Sequence, residues 1–138
     1  MATLTATAAQ STAPAFYNIN GTVTRTVRYA ATAALSAGDV VQMLKVPNGA
    51  IVSRVVFAVS ASAGAVTVNC GDGNDTSAYA AAVVLSGSAI ALASMPARGL
   101  GRSYSAEDTI DFVVTAVSAA PGTIDLILSV DYTNGNGN

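Results

Sequence analysis

Apolar and polar residues alternate with a period of two along much of this chain. In the segment TIDLILSVDY, residues 123–132, every second side chain is large and apolar. Successive side chains of a β-strand point to opposite faces of a sheet, so the pattern predicts a strand with one buried face. The residues predicted to face inward are Ile124, Leu126, Leu128, Val130 and Tyr132.

Eight such segments follow one another, and glycine or proline punctuates the connections between them. The predicted strands are residues 22–29, 39–46, 51–59, 65–70, 79–85, 89–95, 109–117 and 123–132. No segment has a sustained apolar stripe of helical period, although the alanines of TSAYAAAVVL leave a short helix as an alternative over 76–85. Short strands at regular spacing, without an internal repeat, predict an all-β, single-domain β-sandwich, specifically an eight-stranded jelly roll.

The phase of the alternation predicts which side chains of each strand face outward. In residues 51–59 it places Ile51, Val55 and Phe57 inward and Arg54 outward. The acidic residues Asp111, Asp125 and Asp131 are predicted on outer strand faces, where they keep the surface soluble.

The chain divides into three parts. Residues 1–20 are rich in alanine, threonine and serine and predict a flexible N-terminal arm, and residues 21–133 form the predicted sandwich. Residues 134–138 have no apolar anchor and predict a disordered tail.

Neither a secretory signal nor a membrane helix is predicted. The first charged residue is Arg25, so the N-terminus lacks the positive region of a signal peptide. The longest later uncharged stretch, residues 76–97, is interrupted by LSGSAI and contains Pro96 near its end, which favours two strands over a membrane span. We therefore expect a soluble protein that is made in the cytoplasm and does not associate with membranes.

Composition narrows the range of partners. Charged residues make up only 10% of the 138 residues, and hydrophobic ones 51%. Two explanations stay open: a partner covers part of the surface, or a coat of Ala, Ser and Thr is polar enough. The net charge is −2 and the basic residues are scattered, which argues against nucleic-acid binding.

The residues needed for common catalytic sites are scarce. The chain has no histidine, which excludes Ser-His-Asp and Cys-His catalysis, and its single cysteine cannot provide a zinc site. Cys70 lies in phase with Val66 and Val68 and is predicted to be a small buried residue. The sequence therefore predicts no enzyme activity, no catalytic residue, no metal ligand and no cofactor.

The stretch VNCGDGND, residues 68–75, contains the densest group of polar and glycine residues. Counted from Asp72, the sixth and twelfth positions of an EF-hand loop fall on serine and valine, so that motif does not match. A calcium site of another type stays open. The favoured interpretation is a structured loop, in which the glycines supply positive φ and the polar side chains bind their own backbone. The predicted loop-structuring residues are Asp72, Gly73, Asn74 and Asp75, with a second tight turn at Pro47, Asn48 and Gly49.

Three stretches carry a resemblance to a known family: SAGDVVQMLKVPNGAIVSRVVFAVSAS (36–62), VTVNCGDGNDTSAYAAA (66–82) and TIDFVVTAVSAAPGTIDLILSVDYT (109–133). In order and turn chemistry the chain resembles the cement or decoration proteins of tailed-bacteriophage heads. The resemblance implies a jelly roll or related sandwich, a homodimer or homotrimer, and a place on the outer capsid surface of the virion after assembly in the host cytoplasm. It implies the major capsid protein as partner and brings no catalytic residues.

Candidate contacts with the capsid or between subunits follow from side-chain chemistry. An apolar arm can dock once a surface is offered, and arginines can pair with acidic groups. The candidates are Leu4, Phe16, Tyr17, Ile19, Arg54, Arg98 and Arg102. The alternative function is a receptor- or carbohydrate-binding module of a head fibre, tail or adhesin. That function needs exposed aromatic side chains, for which the candidates are Tyr79, Tyr104 and Tyr132.

Overall fold

A computed structural model describes residues 1–6, 9, 21–59, 65–85, 90–91, 97, 99–118 and 124–134. Within these ranges the chain forms ten strands in two sheets. The strands are β1 (Thr3–Thr5), β2 (Thr22–Ala30), β3 (Val40–Val46), β4 (Ala50–Val59), β5 (Val66–Asp72), β6 (Ala80–Leu85), β7 (Ile90–Ala91), β8 (Arg102–Ser103), β9 (Asp108–Val117) and β10 (Asp125–Asn134).

The two sheets pack face to face as a β-sandwich. The first sheet has the order β1-β3-β9-β5-β6, and the second has the order β2-β10-β4-β7, with β8 paired to β4. The chain changes sheets at most connections, and every pairing except the parallel β1–β3 pair is antiparallel. The predicted all-β, single-domain sandwich is confirmed, and the more specific jelly roll stays a prediction. In the ranges given above, no helix is long and apolar enough to span a bilayer.

Each segment predicted as a strand contains one, although the segment at 89–95 is described only at Ile90–Ala91. Residues 80–85 pair with β5, so the helical alternative for 76–85 is wrong. The strands β1 and β8 were not predicted, since three and two residues are too few to show a periodic pattern.

The core lies between the sheets and is built mainly from the side chains predicted to face inward. All five residues predicted inward in the last strand are buried, and Cys70 is fully buried, as predicted. Phe57 and Phe112 meet edge to face across the core, with ring centroids 5.3 Å apart and planes at 78°. Since Phe57 lies on β4 and Phe112 on β9, this pair joins the two sheets.

β-Bulges interrupt the alternation in β4 and in β3. In β4, Arg54 pairs with Asp131 while Val52 pairs with Tyr132, which leaves Ser53 as an extra residue. Ile51 was predicted inward, but the extra residue shifts the alternation, so that Val52 is fully buried and Ile51 only half-buried. A second bulge in β3, at Met43, lets Met43 and the adjacent Leu44 both point into the core. The apolar side chains of β3 are thus largely covered within the chain itself.

The beginning of the predicted arm is part of the first sheet. The sequence predicts flexibility over residues 1–20, whereas Thr3–Thr5 pair in parallel with β3. Ala6 donates a backbone hydrogen bond to Gln42 (2.8 Å), and Leu4 packs against the core. Asp39 fixes the start of β1. Its carboxylate accepts hydrogen bonds from the backbone N–H groups of Ala2 (2.9 Å) and Ser36 (2.8 Å). Most of the remaining arm, and residues 135–138 of the predicted tail, lie outside the described residues.

Candidate functional site

Three connections meet at one end of the sandwich, which we call the loop end. They are the turn between β3 and β4, the loop between β5 and β6, and residues 99–107 before β9. Gly49 donates a backbone hydrogen bond to Tyr104 (2.7 Å), and Tyr104 donates one to Ala50 (2.9 Å). Gly49 has a φ of 86°, which suits the tight turn with Pro47 and Asn48. The turn between β3 and β4 is thus hydrogen-bonded to the segment around Tyr104. The same segment contacts the loop between β5 and β6, because the Tyr104 hydroxyl donates to Asp72.

Asp72 organises the loop between β5 and β6. Its side chain is fully buried, and its Oδ1 accepts hydrogen bonds from the backbone of Asn74 (3.0 Å) and Asp75 (2.9 Å). The backbone of Asp72 also donates to the carbonyl of Asp75 (3.0 Å). The Asp75 carboxylate accepts from both the backbone and the hydroxyl of Ser77. These contacts hold the loop in one compact form.

The two glycines of this loop differ from the expectation, because neither has positive φ. A Cβ added to Gly71 would lie 2.0 Å from the Asp75 carbonyl oxygen, so close backbone approach requires glycine there. A Cβ added to Gly73 would only come into ordinary contact, 3.4 Å from the Asp108 carboxylate. The loop needs glycine at position 71 for lack of space, and not for backbone conformation.

A second set of contacts connects this loop to β8. Arg102 donates through Nε to Oδ2 of Asp72 and through Nη2 to Oδ1 (2.8 Å). The Tyr104 hydroxyl donates to the same Oδ2 (2.9 Å) and also hydrogen-bonds with the Tyr79 hydroxyl. We call Asp72, Arg102, Tyr104 and Tyr79 the loop-end network.

The electrostatics of this network follow from burial and pairing. Burial alone raises the pKa of Asp72, but hydrogen bonds from Arg102, Tyr104 and the loop backbone outweigh it and hold the pKa below its usual value. Pairing with Asp72 raises the pKa of Arg102, and burial raises the pKa of both Tyr79 and Tyr104. The network thus contains one ionised carboxylate, one guanidinium and two neutral phenols. Arg102, which was predicted to contact a partner, is engaged with its own chain.

An open cavity of about 250 Å³ lies beside the network. Its walls are Asp72, Asn74 and residues 102–108. One of these residues, Glu107, forms an ion pair with Lys45 (3.0 Å). As a calcium ligand Asp72 is poorly placed, because the Arg102 cation already occupies both of its oxygens. Among the residues that the structure describes, no group of three acidic, histidine or cysteine side chains is arranged to hold a metal ion.

Asp111 was predicted on an outer strand face in contact with solvent, but it is buried. It lies in β9 between Gln42 and Gly71, and it is only 7% exposed. Its Oδ1 has no hydrogen-bond partner among the described residues. Burial, followed by the nearby carboxylates of Asp108 and Asp72, raises the pKa of Asp111 to about 6, although a hydrogen bond with Thr109 opposes the shift. Asp111 is therefore more buried than the alternation alone indicates.

The outer face of the second sheet is polar and carries exposed arginines. Arg54 and Arg28 are 63% and 62% exposed at the side chain, and they pair with Asp131 (3.6 Å) and Asp125, respectively. Between them, Thr24 donates to Asp131 (2.7 Å). Arg28 is not among the contact residues predicted from the sequence, although the threonines that alternate with apolar residues in 22–29 indicate this exposed face. Arg98, Phe16, Tyr17 and Ile19 lie outside the described residues.

The three tyrosines considered for sugar stacking are not accessible. Tyr79, Tyr104 and Tyr132 are 0%, 5% and 1% exposed, respectively. Their rings pack in the core or in the loop-end network, so they cannot stack against a carbohydrate.

The fold of this chain is similar to that of chains in two solved phage capsids. A chain from the capsid of Ralstonia phage GP4 superposes with a TM-score of 0.69 at 13% sequence identity, over 98% of this chain and 99% of that one. A chain from the cyanophage Pam1 capsid asymmetric unit gives a TM-score of 0.62 at 20% identity, over 89% of this chain and 93% of that one. No protein-family model and no curated protein matches the sequence. At these identities the similarity shows a shared fold.

Proposed function

We propose that this chain is a structural virion protein of a bacteriophage. In this role it is a cement or decoration protein that binds the outer capsid surface across neighbouring major capsid subunits. The observation that carries the proposal is the similarity to two capsid chains over nearly their whole length. A match of that extent includes both sheets and leaves no room for a large additional domain in those chains.

A structural role also suits the loop end. The polar side chains that looked most like a reactive site, Asp72, Arg102, Tyr104 and Tyr79, are hydrogen-bonded to one another and hold two loops together. We therefore propose that the protein is not an enzyme and uses no cofactor.

The proposed capsid contact contains fewer residues than the set predicted from the sequence. Leu4 and Arg102 make intramolecular contacts, so they support the fold. Arg54 exposes 63% of its side chain, and among the described residues its ion-pair partner is Asp131 at 3.6 Å, so it can turn toward an acidic capsid group. Phe16, Tyr17, Ile19 and Arg98 complete the proposed set, with the arm making the apolar part of the contact.

Stabilisation of the head follows from linkage. A protein that binds only the assembled lattice shifts the equilibrium toward that lattice by mass action. Contact with more than one capsid subunit, or oligomerisation of the bound protein, strengthens attachment through multivalency. Neither nucleic acid nor a membrane is needed in this mechanism.

The test uses heads of the phage whose genome encodes this chain. Quantitative mass spectrometry should find it in many copies, in a fixed small-integer ratio to the major capsid protein. Heads prepared without it should bind added protein and should release their DNA at a higher temperature afterwards. A few copies per particle would instead indicate a fibre or tail component, and complete absence would refute the virion role.

A further inference from the structure

We propose that β2 is a homodimer interface, through which a second copy of this chain extends the second sheet. In this arrangement the two β2 strands pair antiparallel about a two-fold axis beside Thr26. The inference concerns the isolated chain and does not depend on the proposed capsid role.

The first reason is that β2 is the one long, regular outer strand among the described elements. The other outer strands of the described residues are β1, β6, β7 and β8, of three, six, two and two residues. The six-residue β6 is irregular, since its pairing shifts between Val68 and Cys70 and Ala82 has a φ of 52°. Short or irregular strands of this kind do not invite further pairing.

By contrast, β2 is neither short nor irregular. Its nine residues contain no proline or glycine and pair without a register shift to β10, from Thr22 with Thr133 to Ala30 with Asp125. In the described part of the chain β10 is its only strand partner. Along its other edge, alternate residues direct backbone N–H and C=O groups away from β10, and no described strand pairs with them.

The second reason is that charge selects the register. In a two-fold antiparallel pair, the residue beside the axis faces its own copy, and every opposing pair lies on the same face. An axis at Arg25 or at Arg28 would bring two identical cations face to face, which is unfavourable. An axis at Val27 avoids opposing two arginines, but it pairs only residues 24–30 of the two copies.

An axis at Thr26 satisfies both conditions. All nine residues overlap, because Thr22 then faces Ala30 of the second copy. Neither arginine opposes another arginine, since Arg25 faces Val27 and Arg28 faces Thr24. The sequence TVTRTVRYA is thus compatible with full-length pairing to itself.

Polar contacts on the outer face would continue across this interface. Thr26 is hydrogen-bonded to Ser129 (3.0 Å), so the pair would extend a row of hydroxyl groups over both copies. Thr24 is hydrogen-bonded to Asp131 (2.7 Å), and Arg28 of the second copy would come to lie beside that pair. The guanidinium would then have an acidic group in each copy nearby. One strand pair is a small interface, so we expect a dimer that dissociates on dilution.

The test measures self-association of the full chain by analytical ultracentrifugation over a range of concentrations. In the Thr24→Arg variant, the new arginine of each copy faces Arg28 of the other copy. This repulsion should raise the dimer dissociation constant about tenfold or more. The same substitution can pair with Asp131 within its own chain, so the fold should persist. Adding Arg28→Thr exchanges the two residues, removes the repulsion and should restore the dimer. Ser53→Arg adds the same charge to the same face away from this edge and should have no effect.

A cross-link provides an independent measurement of the register. In the Thr26-centred dimer, a cysteine at position 26 faces itself, so Thr26→Cys should form an intermolecular disulfide under mild oxidation, whereas Thr22→Cys should not. A monomer at all concentrations would overturn the proposal. The proposal would also be overturned if Thr24→Arg left the dimer dissociation constant unchanged, or if Thr26→Cys formed no intermolecular disulfide. These outcomes are separate from the count of copies in phage heads, which tests the proposed function.

Discussion

Arg102 donates hydrogen bonds to both carboxylate oxygens of Asp72, 30 residues earlier in the chain, and so ties β8 to the end of β5. The Asp72 side chain is fully buried and the Arg102 side chain is 21% exposed. An ion pair of this kind is most consequential when one partner is removed, because the other charge is left buried and unpaired.

Arg102→Met should therefore destabilise the protein by about 3–5 kcal/mol in denaturant unfolding. The matched control is Arg54→Met, which removes an exposed guanidinium and should cost about 1 kcal/mol or less. In the double variant Asp72→Asn/Arg102→Met the loss should be smaller than the sum of the single losses. Equal effects at positions 102 and 54 would contradict the role of the loop-end network.

Asp111 should make stability depend on pH. Its pKa is raised from 3.8 to about 6 in the folded protein, so between these values the folded state holds a proton that the unfolded state has released. Stability should consequently fall as the pH rises from about 4 to above 6, by at most about 3 kcal/mol from this group. Asp72 acts in a different window: its lowered pKa adds stability that is lost as the pH falls below its unfolded value.

Asp111→Asn should flatten that decline and raise the free energy of unfolding at pH 7 relative to the unmodified chain. The measurement is denaturant unfolding at several pH values between 4 and 7. Asp125→Asn, at the partly exposed partner of Arg28, serves as the control and should keep the slope. Identical slopes for the unmodified protein and Asp111→Asn would show that Asp111 is not the titrating group.

The two glycines of the loop between β5 and β6 should respond differently to alanine. At Gly71 the added Cβ meets backbone 2.0 Å away, so Gly71→Ala should destabilise by about 2–4 kcal/mol or prevent folding. Gly73→Ala meets only the Asp108 carboxylate at 3.4 Å and should stay within about 1 kcal/mol of the original stability. Thermal unfolding of both variants decides the matter, and equal losses would contradict the close approach at position 71.

The arm offers a direct test of capsid binding. Replacing Phe16, Tyr17 and Ile19 together by serine keeps the chain length and leaves β1 in place. We expect the isolated protein to unfold at nearly the same temperature but to bind phage heads at least tenfold more weakly, because apolar contact area is lost. Pelleting with heads that lack the protein measures this directly. Undiminished binding would remove the arm from the proposed interface.

Much of the fold could be predicted because burial imposes a simple period on strands. The last strand shows this most clearly, since all five predicted inward residues are buried. The bulge at Ser53 could not be predicted: an inserted residue looks like ordinary alternation until the partner strand fixes the register. The strand β1 was missed because its position depends on pairing with β3 and on Asp39 binding the backbone of Ala2, a contact 37 residues apart.

The candidate site was only partly predictable for a related reason. Local turn chemistry pointed to Asp72 and Gly49, because side chains that bind their own loop leave a signature in nearby sequence. The contacts that join the two loops come from Arg102 and Tyr104, in a segment with no motif of its own. Arg102 therefore looked like a surface cation, and Tyr104 like an exposed ring, until the fold brought Asp72 beside them.

The hydroxyl pair of Tyr79 and Tyr104 has a spectroscopic consequence. The chain contains no tryptophan, so its near-ultraviolet absorbance and fluorescence come mainly from its tyrosines. Burial keeps both phenols protonated above the ordinary tyrosine pKa of about 10, so folding stability should fall as alkaline pH ionises them in the unfolded state. Their tyrosinate absorbance should then appear only as the loop end opens, which makes an alkaline titration an optical record of that opening without any added label.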